Sequence, residues 1–241
     1  EEGKTYTLAE LQDISPANPI IRYGELMVRI RGFEEYAMAQ PVRHVGLFIT
    51  LTCPSKYHAF KKSGQMNVNY NGSTPRQANE YLNTVWQRTR AAWARDGLQP
   101  FGFRVVEPHH DGTPHWHILL FVPQSQSEKL LETFRFHALQ EDGDEPGADT
   151  RRFVAEEMDH SKGSAAGYIA KYVAKNINGA GLETDTYGFD AVQSAFRIRA
   201  WVSIWGIHQF EQIGGPSVTV YREMRRLGES AELGEEFEAI R

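Results

Sequence analysis

The chain has 241 residues, 41% hydrophobic and 24% charged, with 26 Lys and Arg against 31 Asp and Glu, for a formal net charge of -5. These values point to a soluble globular chain with one large α/β or α+β domain. A single Cys excludes an intramolecular disulfide or a thiolate-rich zinc centre and fits a reducing, cytosolic setting; no run of about eighteen apolar residues spans a membrane, and the opening EEGKTYTLAE has no secretory pattern.

In chain order, TLAELQD and IIRYGELMVRIRGFEEYAMA space their apolar residues as helices do. VGLFITLT (45–52) is β-branched and aromatic and stops before Pro54, so it reads as a buried strand. Ser73 or Thr74 caps a helix with Pro75 at its first position, ending near Arg95 at an Asp-Gly pair. FGFRVVE (101–107) and HWHILLFV (115–122) are strands joined around Asp111-Gly112. SEKLLETFRFHALQ is an amphipathic helix, RRFVAEEMD alternates as a further strand, and GSAAGYIAKYVAKNI is a helix stopped at Asn178-Gly179. Two more helices are expected over 188–228, before an acidic tail that frays. The order describes an α+β fold: helices around a mostly antiparallel sheet, in one unit over 1–241. Its core is expected at about 43–178, with helical additions at 1–42 and 179–241.

The acidic balance is uneven. Residues 43–104 hold nine bases against two acids, and 161–226 hold eight bases against five acids. Residues 105–160 reverse this with four bases against twelve acids. Either basic block could face a polyanion, because a field acts locally.

Two clusters carry chemistry. On a strand, His115 and His117 share one face while Trp116 points to the other. Two imidazoles plus a carboxylate suit a divalent ion, and Glu107 supplies the carboxylate if it pairs with residue 115 or 117 rather than 116. A strict two-residue turn at Asp111-Gly112 would pair 107 with 116, so the ligand set requires an odd loop or a bulge. An HxH pair alone equally fits two half-buried histidines. His109 and His110, beside the turn, are left outside the ligand set, and Asp111 and Gly112 are given no chemistry.

Tyr168 and Tyr172 fall one helical turn apart, with Lys171 and Lys175 at the same interval. A phenol has a pKa near 10, so its use as a nucleophile needs a cation to stabilise phenolate or to draw charge off the electrophile. A packed aromatic stripe is the plain alternative. The flanking Ala165, Ala166, Ala170 and Ala174 would let a large substrate approach. Together the clusters suggest metal-assisted tyrosine attack on a phosphodiester, the second tyrosine allowing a second transfer.

Three blocks in order, FITLTCPSKYH (48–58), EPHHDGTPHWHILLF (107–121) and GYIAKYVAKNI (167–177), resemble the HUH-type rolling-circle replication initiators, and among them the bacteriophage replication gene A proteins. The similarity spans residues 48–177. It implies a five-stranded antiparallel sheet with flanking helices, Glu107, His115 and His117 as ligands of one Mg²⁺ or Mn²⁺, and Tyr168 and Tyr172 as nucleophiles with Lys171 and Lys175 as basic companions. The implied activity is a sequence-specific nick in single-stranded DNA at a replication origin. It leaves a 5′-phosphotyrosine adduct and a free 3′-hydroxyl that primes synthesis. Host helicase and polymerase would be partners, the setting the cytoplasm of a bacterial host, the chain a monomer, and the sequence an excised nuclease domain. No G-x-x-x-x-G-K-[ST] loop for a helicase is seen.

Lys56, His58, Lys61 and Lys62 follow the first strand and are candidates for phosphate contacts, or for a merely solvated charged face. Thr50 or Thr52 is placed near the metal. Trp86, Trp93, Trp116, Trp201 and Trp205 read as packed residues rather than base-stacking platforms. The rival readings are a transposase or relaxase with the same chemistry, a non-catalytic single-stranded DNA-binding module, and an unrelated metallohydrolase.

Overall fold

The computed structural model describes residues 5–159, 161, 163–177, 179 and 190–226, without the side chain of Lys171. Five strands form one sheet in the order β4-β1-β3-β2-β5: β1 (His44–Thr52), β2 (Phe101–Pro108), β3 (Pro114–Pro123), β4 (Phe153–Glu157) and β5 (Phe210–Ile213). All four pairings are antiparallel. The α+β sandwich is therefore as expected, with the HxH strand at its centre.

The helices are α1 (Leu8–Asp13), α2 (Pro19–Ala39), α3 (Pro75–Arg95), α4 (Ser127–Ala138), α5 (Ala148–Arg151), α6 (Ala165–Ile177), α7 (Ala191–Trp205) and α8 (Val218–Arg226). Local signals set several of their ends. Asn18 caps α2, and Thr74 caps α3 in a reciprocal capping box with Gln77, each helix having Pro at its first position. At the other end of α3, Gly97 takes the left-handed backbone the chain needs to turn, with φ 71°.

The sheet divides two apolar cores by the period-2 alternation of its strands. On one face Leu47, Ile49 and Leu51 of β1 join Trp116, Ile118 and Leu120 of β3 beneath α3 and α4. Trp86, Trp93 and Trp116 are buried there, as expected, while Trp201 and Trp205 are half-buried at its margin. The buried indole N–H groups of Trp93 and Trp116 donate to Leu130 O and Asn79 Oδ1. On the other face Phe48, Phe103, Val105, Leu119 and Phe121 lie under α2 and α6. Gly102 lets β2 approach β3: a Cβ there would sit 1.9 Å from Leu119 O.

Two expectations are corrected. Residues 188–228 are not filled by helices alone, because 210–213 form β5 on the edge beside β2. A four-residue strand carries too little alternation to announce itself, so its pairing is a tertiary event. The sheet thus takes in residues beyond 178, and the segment 179–241 is not purely a helical addition. Second, Ala165, Ala166 and Ala174 are buried, so these small residues let α6 pack tightly and do not open it to a substrate. Asn178 and the acidic tail from 227 lie outside the described residues. Gly179 has a φ of 68° and donates its N–H to Ala174 O, as a helix stop should. Among the described residues no helix is long and apolar enough to cross a membrane.

Candidate metal and tyrosine centre

The register between β2 and β3 decides whether the three candidate ligands meet. Glu107 pairs with His115, and Pro108 with Pro114, so five residues (109–113) form the connection. This is the odd loop that the ligand set requires. His109 N donates to Thr113 O, Gly112 N to His109 O, and Gly112 adopts φ 83°. Asp111 Oδ1 accepts from Thr113 N, its Oδ2 lies 3.1 Å from His58 Nδ1, and Trp201 Nε1 donates to Gly112 O. Asp111, given no chemistry from the sequence, is thus an anchor of the turn.

Glu107, His115 and His117 project from one face with their donor atoms within 4.8 Å of one another. The two Nε2 atoms are 2.9 Å apart, and Glu107 Oε2 is 3.6 Å from His117 Nε2 and 3.9 Å from His115 Nε2. Two neutral imidazoles and a carboxylate form an N₂O donor set suited to a first-row divalent ion. Neighbouring ligands at about 2.1 Å from an octahedral ion lie about 3 Å apart, so the three atoms need little rearrangement to share one. Thr50 Oγ1, from the opposite residue of β1, contacts His117 Nδ1 at 3.2 Å and steadies that ring.

Electrostatics hold Glu107 and His115 in ligand form. Burial alone would raise the Glu107 pKa, but the adjacent His117 imidazole, with Lys175 and His115 nearby, outweighs it and holds the carboxyl at about 2. Burial, reinforced by His109 and His117, pushes His115 well below the ordinary imidazole value. His109 packs its ring 4.2 Å from that of His115.

Helix α6 brings the tyrosines to the same place. Its first amides, Ala165 N and Ala166 N, donate to the buried Glu34 carboxylate of α2 at 2.7 and 3.1 Å, fixing the end from which the tyrosines follow. Tyr172 lies against His117, ring centroids 4.1 Å apart, and Phe48 contacts both Tyr172 and Tyr168 at 5.3 and 4.6 Å. Burial raises both phenols, Tyr172 to about 12, with Tyr168 and Glu107 adding to the rise. Lys175 reaches Glu107 Oε2 at 3.1 Å. The side chain of its predicted companion Lys171 lies outside the described part. A cavity of about 500 Å³ opens beside Tyr168, lined by Phe48, Glu156, Met158, Ser164 and Gly167 among others.

Fold and site geometry can be set beside known proteins. The description of the bacteriophage replication gene A protein (GPA) family matches residues 1–180. The chain belongs to the bacteriophage replication gene A protein family. It is 46% identical to the "Replication gene A protein" of Escherichia phage 186 over 100% of this chain and 36% of that protein. Identity is 44% to the protein of the same name from Escherichia phage P2, over 99% of this chain and 32% of that one. A relative from Salmonella paratyphi A, named "Probable replication endonuclease from prophage-like region", is 37% identical over 96% of this chain and 29% of its own length. The chain thus spans about a third of the length of the curated relatives it matches.

The four phosphate candidates separate. Lys56 is engaged by Glu141 and Asp142, each at 2.8 Å, and His58 by Asp111. Lys61 and Lys62 are exposed on the segment in which Phe60 bridges to Met66. Some of the basic surplus is therefore spent internally, Arg104 being buried against Glu211 and over the Trp116 ring. Sequence reasoning missed Asn176 and Gln209, both buried and hydrogen-bonded into the Glu107 site. Asn176 follows Lys175 in a marked motif and was open to notice, whereas nothing local distinguishes Gln209.

Proposed function

We propose that this chain is a metal-dependent, sequence-specific single-strand DNA endonuclease and strand transferase that nicks a replication origin. The observation that carries the reading is the contact of the Tyr172 ring with His117, which puts a phenol beside a Glu-His-His donor set. Glu107, His115 and His117 would hold one Mg²⁺ or Mn²⁺, which when bound supplies a positive centre that polarises the scissile phosphate.

The tyrosine hydroxyl loses its proton as its oxygen bonds to phosphorus. The bond from phosphorus to the 3′-oxygen breaks, and that oxygen takes up a proton to become the free 3′-hydroxyl. The 5′-phosphate stays esterified to the protein. A phenol raised by burial is a weak nucleophile at neutral pH, so the step depends on cationic surroundings. Lys175 contributes to them next to Glu107, with Lys171 as the second basic companion. Tyr172 stands beside the ligands, and Tyr168 one turn away at the mouth of the cavity. The pair lets a second strand be taken up before the first is released.

Single-stranded DNA would reach the centre past the loops at the ligand end of the sheet. Lys61 and Lys62 are the phosphate contacts there, while Lys56 and His58 shape the segment through their contacts with Glu141, Asp142 and Asp111. The 3′-hydroxyl would pass to a host polymerase and helicase, in the cytoplasm of the bacterial host.

The test is incubation of the chain with a labelled single-stranded DNA library and Mn²⁺, then denaturing electrophoresis and sequencing of any protein-bound strand. The expected result is an SDS-resistant adduct, reduced by Tyr168→Phe or Tyr172→Phe alone and abolished by both. An adduct persisting in the double variant sinks the tyrosine assignment. Salt-sensitive binding without an adduct would instead indicate a non-catalytic DNA-binding module.

A further inference from the structure

Glu107 is nearly inaccessible to solvent, so its usefulness as a ligand depends on which way its carboxylate is held. Its Oε1 accepts a hydrogen bond from Asn176 Nδ2, while Oε2 is the oxygen that faces both histidine Nε2 atoms. Asn176 is itself fully buried. Its amide nitrogen also donates to Tyr172 O at 2.5 Å, so one NH₂ group ties the carboxylate to the backbone of the tyrosine helix.

A side-chain amide has two orientations related by a flip. Glu107 and the Tyr172 carbonyl are both acceptors, so the flipped amide would turn its oxygen against two others. On the other side Gln209 Nε2 donates to Asn176 Oδ1 at 2.9 Å, consistent with that orientation. Gln209 is buried, and its backbone carbonyl accepts from Val106 N at 2.8 Å, which fixes the residue against β2. The chain of bonds thus leaves β2 at Val106, passes through Gln209 and Asn176, and returns to β2 at Glu107. Its members Glu107, Asn176 and Gln209 are all buried.

We propose that Gln209 and Asn176 are positioning residues that aim Glu107 Oε2 at the metal position. The competitor for that oxygen is Lys175, whose Nζ already lies 3.1 Å from it. Without Asn176, Oε1 loses its tether and the carboxylate can turn further toward that ammonium and away from the histidines. This inference rests on the metal-site reading above.

The test measures Mn²⁺ affinity by titration calorimetry on the full chain without DNA, together with the melting temperature of the metal-free protein. Asn176→Ala should weaken Mn²⁺ binding by roughly 10- to 100-fold, the range typical when a partner of a metal ligand is removed. Asn176→Leu, which keeps the number of side-chain heavy atoms but removes the amide, should behave alike, and Gln209→Met should give a smaller loss in the same direction. A purely structural role would lower the melting temperature while leaving Mn²⁺ affinity at the wild-type value, and that result overturns the proposal. Should the Asn176 variants fail to fold, an unchanged affinity in Gln209→Met overturns it equally. A wild-type chain that takes up no Mn²⁺ removes the metal-site reading and the relay with it. Wild-type uptake with unshifted variants removes only the relay.

Discussion

The imidazole of His117 and the phenol ring of Tyr172 lie 4.1 Å apart between centroids, one on the central strand and one on helix α6. That contact joins the two motifs that the sequence holds far apart. The ring makes this packing contact, whereas the proposed attack uses the hydroxyl, so substitution can separate the two. Tyr172→Phe should change stability by less than about 1 kcal/mol, whereas Tyr172→Ala should cost about 3 kcal/mol for the lost ring. Urea unfolding of both variants beside the adduct assay checks this. A large loss of stability in Tyr172→Phe would mean that the hydroxyl is structural.

Glu107 serves both the fold and the proposed metal. Glu107→Gln should leave the chain folded but abolish measurable Mn²⁺ uptake at concentrations that saturate the wild type. Glu107→Ala removes the acceptor of both Lys175 and Asn176, leaving them without that partner. Its cost should be about 3 kcal/mol or more, since losing one partner of a buried charge pair is expensive. Metal affinity and denaturant midpoints of the two variants distinguish the roles.

Acid should destabilise the fold through the buried imidazole of His109. Burial, and then the charge of His58, lowers His109 from 6.5 to about 4. In that interval the unfolded chain takes a proton that the folded chain refuses, so stability is complete above pH 6.5 and declines as pH falls toward 4. The contribution is on the order of 3 kcal/mol. Glu107, held at about 2 against an ordinary 4.5, has the usual depressed-carboxylate sign and loses its contribution in a lower window, between 4.5 and 2. Denaturation midpoints measured across pH should show a slope that shrinks in His109→Phe. An unaltered slope would assign the acid sensitivity elsewhere.

The tyrosine helix begins on Glu34. Glu34→Gln leaves one oxygen to accept from two amides, and should cost about 1 to 3 kcal/mol for the weakened charge-assisted bonds. Hydrogen exchange should quicken in the first turn of α6. Exchange unchanged there would show that the cap does not hold the helix.

Lys61→Glu with Lys62→Glu should weaken single-stranded DNA binding without altering Mn²⁺ affinity. If each lysine contacts one phosphate, the slope of log affinity against log salt should fall by about 1.4, near 0.7 per contact for a single strand. Wild-type affinity with an unchanged slope would move the DNA path to another surface.

Local chemistry in the sequence determined the elements. Apolar runs and alternation specified four of the five strands, Pro75 after Ser73 or Thr74 the start of α3, and the HxH and Tyr-x-x-x-Tyr spacings the shared faces of two residue pairs. It also stated the condition on Glu107, an odd connection to His115, without being able to say that the condition is met. The tertiary structure decided the rest, because each remaining fact depends on groups far apart in the chain. The five-residue turn is held by His58 and Trp201 as well as by its own hydrogen bonds. Strand β5 exists only where β2 offers an edge, and its approach delivers Gln209 to Asn176. Lys56, exposed by any reading of its neighbours in sequence, is neutralised by acids from a distant loop. Period and propensity act over a few residues, whereas a buried carboxylate is aimed by whatever donors the whole fold brings within hydrogen-bonding reach of it.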